Sequence, residues 1–417
     1  MRERVVLTGI GCISCFGVGH AAFVDGVLAG ASGVSEIDSF DTSSCRSHRA
    51  ALLRGFDPVA FIPPLKLRRI DAVGRVALAT AHLVVRDADG NGATAFDRRE
   101  TGVALGTFTA GLDSTIEYLQ GLTAHGPTGV PALLFSNTVS NAPASLCAIE
   151  FGLEGPNVTF NQREASSLIA LEYSFGAVRS GRIGAMLTGG ADRLEETFFK
   201  GHDRFRALSP TWASQADDRC ADEVARPFDG RHNGFVFGEG AYLMLLESAS
   251  VARARNAHAY GEVLGMATVA SAARPNAWPT DGSGLARAMR LALADAALDA
   301  SDVDVVFAAA NGSPALDRLE AAALGDVFGG RDVPVASIKG SIGESASSGA
   351  AAVAAAVGAL SRGLVPPTAG FERPDPMGRV AVSARSRAAT GTTCLVNSVA
   401  SGGTNCSLVL RLSGPRA

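Results

Sequence analysis

Short runs of β-branched and other apolar residues alternate with longer alanine-rich runs along the whole chain, and this alternation restricts the fold more than any single motif does. Strands are expected at Arg4 to Thr8, Thr101 to Leu105, Val158 to Phe160, Ala185 to Thr188, Gly240 to Leu246, Gly261 to Ala270, Val303 to Ala309, Val335 to Ser337, Arg379 to Ser383, Thr393 to Ser398 and Ser407 to Arg411. Helices are expected at Ala72 to Asp87, Leu112 to Leu122, Ala165 to Ser180, Gly284 to Ala296, Leu316 to Phe328 and Gly349 to Ser361. Such alternation implies parallel βαβ units whose helices cover the faces of a sheet. The pattern divides near residue 255, and Leu243–Glu247 and Leu408–Leu412 close the two parts in equivalent ways. A duplicated α/β fold is therefore expected, with halves 1–255 and 256–417.

Composition narrows the class of function. The chain has 417 residues, 47% apolar and only 19% charged, which excludes a disordered chain and implies extensive burial. The net charge is −4 and the basic residues are scattered, so no nucleic-acid or polybasic membrane partner is expected. The longest apolar run, Gly349 to Leu360, is well short of the roughly 18 to 20 residues that span a bilayer. The opening MRERVVLTGIGCIS imitates a signal peptide, but Val5-Val6-Leu7 followed by Gly9 and Gly11 reads as a first strand. The seven cysteines show no paired metal spacing, and the lone C-x-x-C of Cys12 and Cys15 reads as structural. A cytoplasmic protein without metal or cofactor is the expectation.

The stretch 157-NVTFNQREASSLIALEYSFGA-177 is the candidate site. A strand runs through Asn161-Gln162-Arg163-Glu164 into an apolar helix starting at Ala165. Such corners suit a nucleophile, because the helix N-terminus favours negative charge. This corner carries a glutamate instead. Ser166 and Ser167 follow on the first helical turn, where hydroxyls satisfy free backbone N–H groups.

Several segments together resemble the β-ketoacyl-acyl carrier protein synthases. They are RVVLTGIGCIS at the start, GPNVTF with its helix and GRIGAMLTGGAD, PFDGRHNGFVFGEGAYLMLLE (Pro227 to Glu247), and NSVASGGTN (Asn397 to Asn405). The resemblance covers nearly the whole chain and implies the thiolase fold: an α/β protein of duplicated βαβαβαββ halves in five layers, αβαβα. That family elongates acyl chains with a cysteine and two histidines. Its T-A-C-A-S pattern aligns with Gln162 to Ser166, so Glu164 stands at the cysteine position. Its H-G-T aligns with Asn311-Gly312-Ser313, and K-S-x-x-G-H aligns with Lys339 to Glu344, so Asn311 and Glu344 stand at the histidine positions. Its G-F-G-G-T turn aligns with Ala400 to Gly403, where Ser401 replaces the gating phenylalanine. Lys339 and Glu320 are retained.

No catalytic residue is expected from this set. A carboxylate does not serve as an acyl-carrying thiolate, because acyl-Glu164 would be a reactive anhydride. Asn311 does not shuttle protons near neutrality as histidine does. Glu344 places negative charge where an enolate needs a donor. Were Glu164 and Glu344 within about 4–6 Å, one would need a proton or a cation such as Arg163 or Lys339. Lys339 is expected to pair with Glu320, Glu344 or Glu164 and so neutralise a buried cluster.

A whole-length relative lacking the nucleophile is similar to the chain length factor, the β-subunit of type II polyketide ketosynthases, although glutamine is common there and this chain has Glu164. The resemblance implies a heterodimer with a catalytic ketosynthase, acting on chains held by an acyl carrier protein in a polyketide or polyene pathway. It implies that Leu112, Thr115 and Leu119, spaced for one helix face, line or cap the acyl tunnel, and that Phe135 and Thr138 approach the partner. Three alternatives stand beside it: a malonyl-acyl carrier protein decarboxylase that supplies primers, a repurposed enzyme using Glu164 or Glu344, and a homodimeric scaffold.

Overall fold

The computed structural model describes residues 3–90, 92–210, 222–376 and 380–413. Its main sheet has the strand order Val335–Ala336, Val305–Phe307, Thr393–Val399, Thr404–Leu412, Gly261–Ala270, Val5–Ser14, Gly240–Ser248, Ala185–Asp192, Thr101–Gly106, Asn157–Phe160, with Gly17–Val18 pairing beside the Val5–Ser14 strand. Counted within each half, both halves have strand order 3-2-4-5-1, and in both the 2–3 and 2–4 pairs are parallel while 4–5 and 5–1 are antiparallel. The halves join where Val5, Val6 and Leu7 pair antiparallel with Val263, Glu262 and Gly261. The duplication expected from the pattern is thus present in the pairing itself.

Burial explains the layers. Helix Ser348–Leu360 is apolar on every side, and all its residues are buried, as expected of a helix enclosed by protein on every face. It packs with helix Ser166–Arg179 between the two half-sheets, in one core that draws Leu7, Met186 and Met244 from the first half and Phe307, Val396 and Leu408 from the second. Helices Ala72–Ala88 and Ala142–Phe151 cover the outer face of the first half-sheet. Helices Ser283–Asp295 and Pro314–Phe328 cover the second. Five layers, αβαβα, result.

The segment expected to form a strand from Arg379 to Ser383 does not extend a ladder. Arg379 lies outside the described residues, and beyond it only the bridge Val335–Val382 forms. The bond from Val382 N to Val380 O turns the backbone locally, so the pairing ends after one step.

Two features place the site. Gly106 lies so close to the Ser166–Arg179 helix that a Cβ there would come within 2.3 Å of its backbone, which sets the strand hard against the helix start. Beside it, Asn157–Phe160 is an edge strand, with Phe160 paired to Gly106.

Candidate functional site

The corner between strand and helix is a turn of 3-10 helix, Arg163–Ala165, and the α-helix follows from Ser166. Arg163 has φ +53°, in the left-handed region, and this turns the next side chain, that of Glu164, inward. The Ser166 hydroxyl donates to Arg163 O (2.6 Å) and accepts from Gln162 N (2.8 Å). Ser167 Oγ accepts from Ala350 N (3.1 Å). Both hydroxyls serve backbone groups, as their place on a first helical turn suggests.

Glu164 is buried, and its carboxylate is held by Ser401. The Ser401 backbone N–H donates to Oε2 (3.0 Å), and the Ser401 hydroxyl lies 2.9 Å from Oε1. Arg163 Nε stands 3.7 Å from Oε2 and donates to Ser401 Oγ at 2.6 Å. Its Nη1 donates to Asn276 Oδ1 at 2.6 Å, and the guanidinium carbon sits 5.0 Å from the Phe108 ring centre. The Phe108 loop is itself pinned, since buried Asp192 accepts from Phe108 N (2.7 Å), Thr109 N (3.0 Å) and Ala346 N (2.8 Å).

The second carboxylate has a separate cation. Lys339 Nζ donates to Glu344 Oε2 (2.7 Å), and Asn311 Nδ2 donates to the same oxygen (2.8 Å). Lys339 also donates to Ala309 O (2.7 Å). Of its three expected partners, Glu344 is the one it meets. Burial pushes the Glu344 carboxyl above its usual range, Lys339 opposes that shift, and the charge of Glu164 adds to it. Glu344 Oε1 is buried without a hydrogen-bond partner.

Glu320 lies behind this pair, accepting from Ala309 N (3.0 Å), Ala310 N (2.7 Å) and Asn397 Nδ2 (3.0 Å). Burial raises its carboxyl despite those donors. Asp317 accepts from Asn311 N and Gly312 N (both 3.1 Å), from Phe228 N (2.8 Å) and from His232 Nδ1 (3.0 Å). The Pro227–Glu247 block is thereby tied to the Asn311 loop.

One neighbour of Glu164 escaped sequence reasoning. His202, on helix Glu196–Arg204, reaches a cavity of about 60 Å³ that Glu164, Arg163, Asn276 and Ser401 also line. Its Nδ1 bonds Phe198 O (2.9 Å), and rings of Phe108, Phe198, Phe205, Phe235 and Phe237 surround it. Burial lowers its pKa below the usual imidazole value. The i, i+4 spacing of Phe198 and His202 was the available signal.

The residues expected at a tunnel or interface gather elsewhere. Helix Leu112–His125 and the segment through Phe135 and Thr138 meet where Thr115 Oγ1 bonds Thr138 O (3.2 Å) and Tyr118 faces Phe135 across 6.0 Å. Leu112, Thr115 and Thr138 are half-buried. Leu119 is 52% exposed, Leu133 61%, Phe135 65% and Ile149 77%. Of these, Ile149 lies on helix Ala142–Phe151, which packs against the edge strand Asn157–Phe160.

Comparison with known proteins agrees with this architecture. Residues 2–252 match the family described as beta-ketoacyl synthase, N-terminal domain, and residues 260–372 match beta-ketoacyl synthase, C-terminal domain. The ketoacyl synthase beta subunit of the tetracenomycin polyketide synthase of Streptomyces glaucescens is 33% identical, covering 98% of each chain. The alpha subunit of that synthase is 34% identical, covering 90% of this chain and 89% of its own. The solved structure of the ishigamide ketosynthase/chain length factor superposes with TM-score 0.89 at 31% identity, over 99% of this chain and 100% of the other. With a duplicated five-layer core and a match along its whole length, the chain belongs to the β-ketoacyl synthase family and has its thiolase fold.

Proposed function

We propose that this chain is a non-catalytic ketosynthase-like subunit, a chain length factor. It pairs with an active ketosynthase, caps the acyl tunnel of that partner and sets the length of a chain carried by an acyl carrier protein. The observation that carries the reading is the state of the three aligned positions. Glu164 is held by Ser401 and Arg163, while Asn311 and Lys339 are both spent on Glu344. This arrangement offers no thiolate, no imidazole at the aligned positions, and an anion where an enolate would develop. Decarboxylation of a malonyl unit meets the same obstacle. The exposed apolar residues Leu119, Leu133, Phe135 and Ile149 support a paired state.

Co-expression with candidate ketosynthases tests this. A one-to-one complex is expected, with chain elongation only when both subunits are present. Elongation should also survive Glu164→Gln in this subunit. An isolated subunit that decarboxylates malonyl-acyl carrier protein, or that forms and extends a covalent acyl adduct, overturns the proposal.

A further inference from the structure

The cavity at Glu164 is small, but it does not lie alone. A groove of about 700 Å³ runs between the end of strand Gly261–Ala270 and the start of helix Ser283–Asp295, along Arg274, Ala277 and Trp278. Trp278 lines both the groove and the corner cavity. Arg163 lines the corner cavity beside Trp278 and bridges three separate segments. It donates to Asn276, which lines the corner cavity on the same segment as the groove residues Arg274 and Ala277, and to Ser401 on the glycine turn, and its guanidinium sits over the Phe108 ring. Its charge also faces Glu164 at 3.7 Å.

We propose that Arg163 is the specificity-determining residue that shuts this subunit to an acyl thioester arm, by cross-linking Asn276, on the segment that separates groove from corner cavity, to the glycine turn in front of the buried Glu164. Anything long and thin that entered from the Trp278 groove would have to part Arg163 from Asn276 and Ser401. It would also leave the buried Glu164 carboxylate without its cation. Both steps oppose entry. A shut passage makes the paired assembly directional, because the arm then has one corner open to it, in the catalytic partner. The identity of the excluded ligand rests on the reading under Proposed function, whereas the closure rests on the geometry of this chain.

The test places a reporter at the closed end. In the full chain, Glu164→Cys supplies a thiol, and its alkylation is followed by peptide mass spectrometry at residue 164. Two reagents are compared, iodoacetamide and a chloroacetamide of pantetheine, in E164C, E164C/R163A and E164C/R163G. The glycine variant suits the left-handed backbone at this position. Removing Arg163 is expected to speed the pantetheine reagent by about tenfold or more relative to iodoacetamide, the factor that one charge-assisted hydrogen bond is worth. Equal relative rates in all three variants, with far-UV circular dichroism unchanged, overturn the proposal. Circular dichroism separates a misfolded variant from an open one, and R163A serves if R163G loses structure. The readout needs no ketosynthase, so failure to find a partner would sink the chain-length reading and leave this one standing.

Discussion

Ser401 and Glu164 form a two-point contact: the backbone N–H and the hydroxyl of the serine both meet the buried carboxylate, at 3.0 and 2.9 Å. They are 237 residues apart in the chain and belong to different halves of the duplication. The contact ties the strand-helix corner of one half to the glycine turn of the other.

Loss of that hydroxyl should be felt in stability. Ser401→Ala keeps the N–H bond, removes the hydroxyl, and takes from Arg163 Nε its 2.6 Å acceptor. A loss of about 1–2 kcal/mol is expected, because the buried Glu164 carboxylate loses a donor and the partly buried Arg163 loses an acceptor. Urea denaturation followed by circular dichroism gives the figure, and an unchanged midpoint would argue that the contact is incidental.

Glu344 should leave a mark on the pH dependence. Burial raises its carboxyl above the ordinary 4.5. A folded-state pKa above the unfolded one contributes stability below the unfolded value, and that contribution fades as pH rises toward the folded value. Glu344→Gln abolishes this term. Near pH 5 the variant lacks that contribution and stands at a deficit to the parent. That deficit should shrink between pH 5 and pH 7, by melting temperatures of variant and parent measured side by side, over the window in which about 4.5 has been passed. A constant gap contradicts the assignment.

A second buried pair is structural and far from the corner. Arg255 donates to Glu247 through Nε (2.8 Å) and Nη2 (2.6 Å), while its Nη1 satisfies Ala88 O and Thr94 O. Thr8 adds a hydroxyl to the same carboxylate. Arg255→Ala should destabilise by about 3–5 kcal/mol, because Glu247 then remains buried and unpaired. The double change R255L/E247L should recover part of that loss in the same denaturation experiment. If the single variant is the more stable of the two, the charge of Glu247 is not what penalises the fold.

The exposed apolar surface allows a test of pairing that leaves the core alone. Leu133→Asp with Phe135→Asp alters two residues that are mostly solvent-accessible in the single chain. The isolated subunit should melt as before, while affinity for a ketosynthase partner falls by about tenfold or more, as a truncated interface anchor predicts. Size-exclusion chromatography of the mixed subunits reads the outcome, and an intact complex places the interface elsewhere.

Much of the architecture could be read from residue order. Strand Gly261–Ala270 and helix Ala72–Ala88 fall within a residue of their expected bounds, because local periodicity and terminating glycines act over a few residues. The expected Arg379–Ser383 strand failed because pairing with Val335 depends on a turn that alternating apolar residues do not reveal. At the site, motif alignment singled out Glu164, Asn311, Glu344, Lys339, Glu320 and Ser401 from the residues themselves. It did not show His202 or Asn276: the Phe198–His202 spacing marks a shared helix face, but nothing along the chain places either residue beside Glu164.

Residue chemistry by itself decided that the aligned positions hold two carboxylates and an amide, and that a βαβ pattern repeats twice; both are properties of side-chain type and local spacing. Which cation serves which carboxylate was settled only in three dimensions, where Lys339 reaches Glu344 and Arg163 stands by Glu164. Both pairs are neighbours in the chain, so local spacing allowed them, but folding seated Lys339 between Glu344 and Ala309 O and brought Ser401 to Glu164 from 237 residues away, and there short-range hydrogen bonds and charge pairing select the partners.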